Sequence, residues 1–446
     1  MEIHTAKADQ LRQRIRTALN NVQVLHSRWV VRASMWGFLA ADELMGKHGD
    51  NQRDLAHFID DSYPVLELAQ GSINAMLAHN EHVADATPQA LWSIPQFADL
   101  DAVASNIVNL IQALPLRYTF SVELPVNLLA DYPPGFTIHL TERMSIRNAG
   151  GSRDAVLPLS TGNKVYDMWV FNRSVLTADT VDAWKGAILE IQDEGYVTKG
   201  VSTSPRLRAV EASHSVIGLA MVFGMLQRRG QYTFMPTSPY YVHVNHGASS
   251  FPLDKSELSS AASALVADLT APPLNIDEQS KKIREGQVID FFWNLRAIFD
   301  NASDSQRIQN AAKWYFDAEA ASDPLLGFVQ MMVVLEILYG DKELSDKIGL
   351  GELLRNRCAY AIGQGAADRD DIIRDFKSIY DVRSAIVHRG KNRLSGKERA
   401  LFGILSAFCR RAIFHEAQML RKDFHAREAM QAQAQAQQGS LFSEMA

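Results

Sequence analysis

The sequence predicts a mainly α protein: an N-terminal helical segment, an α+β middle domain and a C-terminal helical bundle. Three observations support this. Apolar residues recur at steps of three and four through the first 115 residues. Runs rich in β-formers, punctuated by Pro and Gly, occupy 116–270. Helical periodicity resumes after "TAPPLN", 270–275, and holds to about residue 425. A chain of 446 residues is long for one core. The boundaries drawn are 1–115, 116–270, 271–428 and a tail at 429–446.

Leu11, Ile15, Leu19, Val22, Leu25 and Trp29 share one helical face. The pattern predicts a helix that continues through "WVVRASMWGFLAADELM" to near Gly46. Further helices are expected over 52–60, from Pro64 to Ala78, and over 97–113. The aromatics Trp29, Trp36 and Phe38 fall at helical spacing, which assigns them to core or dimer contacts rather than to stacking on bases.

In the middle region "RYTFSVELPV", "GFTIHLTERMSI", "YDMWVFNRSV" and "SPYYVHVNHG" read as strands. "TADTVDAWKGAILEIQDEG" reads as a capped helix ending at Gly195, and 214–230 as another. The C-terminal helices are expected near 277–301, 304–321, 324–339, 348–362, 368–388 and 395–424. The Gln/Ala-rich tail is expected to be frayed or disordered.

A net charge of -6 argues against a surface that coats nucleic acid at large, and leaves room for a local basic site. Two cysteines, Cys358 and Cys409, are too few for a disulfide framework and fit a reducing cytosol. The N-terminus lacks the apolar core of a signal peptide. The most apolar stretch, 327–340, is too short to span a bilayer and is interrupted by Gln330 and Glu336. A cytoplasmic protein with no membrane partner is expected.

One stretch concentrates positive charge against this acidic background: "YDVRSAIVHRGKNR", Tyr380 to Arg393. It closes an amphipathic helix with aspartates in its first turn and Gly390 placed for a left-handed cap. Arg383 and His388 lie five residues apart. On a straight helix that spacing turns the direction by about 140° and rises about 7.5 Å. The two converge only if the helix ends or distorts near His388, or if a second chain completes the site.

An arginine beside a histidine suits one reaction in particular, the attack of an RNA 2′-hydroxyl on the neighbouring phosphate. Histidine can move the proton. Arginine can hold the charge that grows on the phosphate. No metal or cofactor is required. Arg389, Lys391, Arg393 and Lys397 would then hold the flanking RNA backbone. The bland alternative is a basic helix end that favours the dipole, followed by a solvated loop.

Three blocks resemble the HEPN domains, in particular the Apea-like subgroup: "VLEILYG" at 334–340, "LLRNRCAYAIG" at 353–363, and "YDVRSAIVHRG" at 380–390. The resemblance covers about 276–425. It implies a HEPN-type helical bundle that pairs with a second copy. It also implies a metal-independent endoribonuclease, with Arg383 and His388 as its catalytic pair and a role in anti-phage defence or toxicity. Ser384, the polar residue after the arginine, would help orient a phosphate. Residues 1–270 would then sense a phage-derived or regulatory protein trigger. The alternative is a non-catalytic RNA- or protein-binding module, or a scaffold that only dimerises.

Glu336 has two readings: an acid that orients Arg383 or His388, or a buried acid paired with Arg355 or Arg357. His243 and His246 would point to opposite faces of a strand, which disfavours a metal site. The glycines at 150–151 and 363–365 lack the strand–loop–helix setting of a nucleotide fingerprint, and no Walker motif occurs.

Overall fold

The computed structural model describes residues 1–45, 50–59, 62–77, 87–124, 129, 132–148, 187–197, 204–229, 242–246, 249–252, 260–271, 278–300 and 302–444. The protein is mainly helical.

Helix α1 (Thr5–Leu19) buries Ala8, Leu11, Ile15 and Leu19, and the His4 ring accepts from the Ala6 N–H at 3.3 Å. The expected continuation to Gly46 does not occur. The chain instead forms β1 (Gln23–Leu25), turns through His26 and Ser27 at positive φ, and returns as β2 (Trp29–Val30). A 3₁₀ segment (Arg32–Phe38) and α2 (Leu39–Met45) follow. The β-branched residues Val22, Val24, Val30 and Val31 favour extended backbone, and a period of two buries Val22 and Val24 as well as a helix would. Phe38 is core, but Trp29 and Trp36 are 61% and 52% exposed and stand outside it.

Helices α3 (Asp50–Ile59), α4 (Pro64–Leu77) and α5 (Leu100–Ala113) lie near their expected positions, with β3 (Gln89–Ala90) pairing on β1. The middle region contributes β4 (Leu116–Glu123), β5 (Thr137–Thr141), β6 (Met144–Asn148) and β7 (Ala187–Gly195). After these come α6 (Ser204–Val222), β8 (Gln227–Arg228), β9 (Val242–His246), β10 (Ser249–Pro252), α7 (Ser260–Asp268) and β11 (Leu269–Thr270). Six strands form one antiparallel sheet in the order β10-β9-β4-β7-β6-β5.

The segment expected as a helix ending at Gly195 is therefore a strand over Ala187–Gly195. Its partner β4 engages it along its length, from Leu116 opposite Gly195 to Glu123 opposite Ile188. That long-range pairing outweighs the local helical pattern. Residues 177–186 of the same expectation, "YDMWVFNRSV" and most of "TAPPLN" lie outside the described residues. Helix α6 starts ten residues before 214 and ends at Val222, ahead of Gly224 at φ +70°.

The C-terminal helices are α8 (Glu278–Asp300), α9 (Ala302–Ala320), α10 (Pro324–Tyr339), α11 (Lys342–Ile348), α12 (Leu350–Ile362), α13 (Ala366–Arg389) and α14 (Gly396–Glu444). Asp323 caps α10, accepting from the Leu325 N–H at 2.9 Å, and Pro324 takes its first turn. Helix α11 is a separate turn before Gly349. Helix α14 runs on through the tail that was expected to fray, consistent with the helix propensity of Ala and Gln. No single helix among the described residues is long and apolar enough to cross a membrane.

One cluster of buried side chains extends from Ile3 to Leu420. The middle region joins the C-terminal helices where α6 packs on α9. There His214 meets Asp317 at 2.9 Å, and a Cβ on Gly218 would lie 2.2 Å from the Ala312 carbonyl oxygen. Gly218→Ala should therefore force the two helices apart. The expected cost is about 1–3 kcal/mol, read as a lower urea midpoint.

Candidate functional site around Arg383 and His388

Helix α13 buries Ile372, Phe376, Ile379 and Val382. Arg383 follows Ile379 by four and Phe376 by seven, so it continues the core-facing stripe. Its guanidinium reaches Glu336 on α10, Nη2 to Oε1 at 3.3 Å, with the two side chains only 20% and 26% exposed. Arg355 and Arg357 instead pair with Glu352 and Asp341, both at 3.3 Å. Glu336 thus serves Arg383 and not the arginines of α12.

A further neighbour was not singled out from the sequence. The Tyr380 ring lies 6.0 Å from the Arg383 guanidinium carbon. It packs so closely on Gly351 that an added Cβ there would sit 2.8 Å from a ring carbon. The only sequence signal was position: Tyr380 precedes the arginine by three, one helical turn. The Arg383 Nε is buried without a hydrogen-bond partner.

His388 occupies the last turn of α13. It is exposed and has no hydrogen-bond partner among the described residues. Ser384 stands four residues earlier, so these two share the outward face. Helix α13 runs regularly through His388 and ends one residue later at Arg389, with Gly390 in the left-handed conformation, φ 66° and ψ 31°. The expected glycine cap is present, but it does not bring the pair together. Arg383 points to the core, His388 to solvent, and the first of the two routes to convergence is closed within one chain.

The basic loop is divided. Lys391 is taken by Glu398, Nζ to Oε1 at 2.9 Å. Arg389, Arg393 and Lys397 are exposed with no ion pair among the described residues. Glu398 was not singled out from the sequence, although "SGKE" carries the capping spacing: its Oε2 accepts from the Ser395 N–H at 2.7 Å, and the Ser395 hydroxyl accepts from the Glu398 N–H at 3.4 Å. Lys391, then the Ser395 N–H, hold the Glu398 carboxyl down at about 2. Burial pushes the Cys358 thiol up to about 12 and Cys409 well above its usual value, so neither is a ready thiolate.

The chain matches no protein-family model, no curated protein and no solved structure.

Two outcomes follow for stability. Glu336→Ala should cost about 1–3 kcal/mol, because it strands a largely buried guanidinium, and Glu336→Gln should recover part of that in urea unfolding. Glu398 has a folded pKa below its unfolded value, so its stabilisation is full above the ordinary carboxylate range and fades as pH falls toward about 2. The urea midpoints of the native chain and Glu398→Gln should therefore differ at neutral pH and converge as the solution is acidified.

Proposed function

We propose that the chain is a metal-independent endoribonuclease of HEPN type that works as a homodimer in the cytoplasm. One observation carries the reading: an ion-paired arginine and an exposed histidine stand about one and a half turns apart at the end of one helix, and neither the histidine nor the cations Arg389, Arg393 and Lys397 beyond it have a partner among the described residues. Each group is in the condition its role requires. The arginine is held in place, and the histidine is exposed to solvent.

Because the two side chains diverge on α13, the crevice needs a second copy. Val387, 47% exposed, and Ile373, 37% exposed, offer apolar surface beside the outward face of Ser384 and His388. A two-fold pairing there would set two copies of Arg383 and His388 around one strand. One His388, neutral, takes the proton from the 2′-hydroxyl as its oxygen attacks phosphorus. Arg383 offsets the charge of the five-coordinate phosphorane. The second copy's imidazole, protonated, gives its proton to the departing 5′-oxygen. The products are a 2′,3′-cyclic phosphate and a 5′-hydroxyl. Ser384 would hydrogen-bond a phosphate oxygen, and Arg389 and Arg393 would hold the flanking backbone.

Residues 1–270 would restrain the nuclease until a phage-derived or regulatory protein trigger binds, as expected of a toxin or anti-phage effector. One feature favours the non-catalytic alternative: the Arg383 guanidinium already has a carboxylate. Turnover separates the two. Purified chain mixed with total RNA in EDTA should yield fragments ending in 2′,3′-cyclic phosphate. His388→Ala should lose about 100-fold or more of that rate with its thermal midpoint unchanged, since the side chain is exposed. Equal cleavage by the variant, or RNA that is bound and never cut, would overturn the proposal.

A further inference from the structure

Tyr380 stands on α13 between the two groups of the candidate site. At about 100° per residue it lies about 60° from Arg383 on one side, and about 40° and 80° from Ser384 and His388 on the other. The boundary between the inward arginine and the outward histidine therefore passes through it. Val387 shares that boundary but carries no polar group.

The ring and the hydroxyl of Tyr380 are in different conditions. The ring is held. A Cβ added to Gly351, in the first turn of α12, would lie 2.8 to 2.9 Å from three of its carbons, so only a residue without a side chain lets α12 come this close. The Arg383 guanidinium carbon stands 6.0 Å from the ring centroid. The hydroxyl is unused. It has no hydrogen-bond partner among the described residues, and it is not sealed from solvent. A phenol that is packed on one side and open on the other has a donor to offer a ligand.

We propose that Tyr380 is a further catalytic residue of this centre: its hydroxyl donates a hydrogen bond to a non-bridging oxygen of the scissile phosphate, while its ring backs the Arg383 guanidinium. The inference rests on the ribonuclease reading. A phosphodiester carries one negative charge, and attack by the 2′-oxygen adds a second as the five-coordinate phosphorane forms. A neutral donor at a non-bridging oxygen binds that state more tightly than the substrate, so it lowers the barrier rather than only tightening binding. The hydroxyl keeps its proton throughout. The two imidazoles take the proton from the 2′-hydroxyl and give one to the 5′-oxygen, and the phenol only shares its own.

Steady-state cleavage of RNA by the full chain, Tyr380→Phe and Tyr380→Leu tests this. Tyr380→Phe keeps the ring against Gly351 and removes only the hydroxyl. Its kcat should fall about tenfold or more, with KM nearly unchanged and the thermal midpoint held. Both limbs of its pH–rate profile should stay where they are in the native chain, because the histidines move the protons. Tyr380→Leu, which also takes away the ring behind Arg383, should fall further. A Tyr380→Phe rate equal to that of an active native chain would overturn the role of the hydroxyl and leave the ribonuclease reading standing. A change confined to KM would overturn it too, since the hydroxyl would then bind substrate and transition state alike. A displaced limb would make the phenol a proton carrier, contrary to the proposal. Equal rates for Tyr380→Leu and Tyr380→Phe would overturn the part given to the ring. A native chain that never cuts RNA would refute the ribonuclease reading, and the role of Tyr380 with it.

Discussion

Arg383 sits on the core-facing stripe of its helix, and a guanidinium in that position requires a carboxylate within reach. Glu336 supplies it across the bundle and so accounts for the acid in the last turn of the most apolar helix. The buried stripe of Ile372, Phe376, Ile379 and Val382 sets the rotation of α13, and the pair holds Arg383 within it. With Arg383 turned inward, the helical repeat turns Ser384 and His388 outward. The contrast between a paired cation and an exposed imidazole follows from this packing and from the contact with Glu336.

The same constraint bears on how the site could be completed. A single α13 cannot present both groups to one phosphate, because the helix stays regular past His388. A nuclease built from this helix is therefore a property of two copies, and its activity would depend on the concentration of the chain and on anything that separates the copies. The local charge is also smaller than the sequence alone implies. Glu398 neutralises Lys391, so the loop presents Arg389, Arg393 and Lys397 to a polyanion.

Helix α13 is tied at both ends. Asp368 binds Arg411 of α14 at its start, and Arg383 binds Glu336 of α10 near its end. The contact of α6 with α9 at Gly218 brings the middle region against the same group of helices. The described residues of the middle region are thus packed, through α9 and α10, against the helix that carries the histidine.

The sequence by itself determined most of the C-terminal helices, the left-handed Gly390 and the concentration of cations after His388, because all of these rest on local spacing. It also narrowed the partners of Glu336 to Arg383, His388, Arg355 or Arg357. The tertiary structure decided the rest. It chose Arg383, placed Tyr380 against Gly351, removed Lys391 from the free cations and turned Ala187–Gly195 from an expected helix into a strand. It broke the first helix at Leu19 as well, where Val22 and Val24 suit a helix face and a strand face equally. The physical reason is common to these cases: each outcome depends on a partner distant in sequence, and local periodicity carries no information about which distant surface will be there.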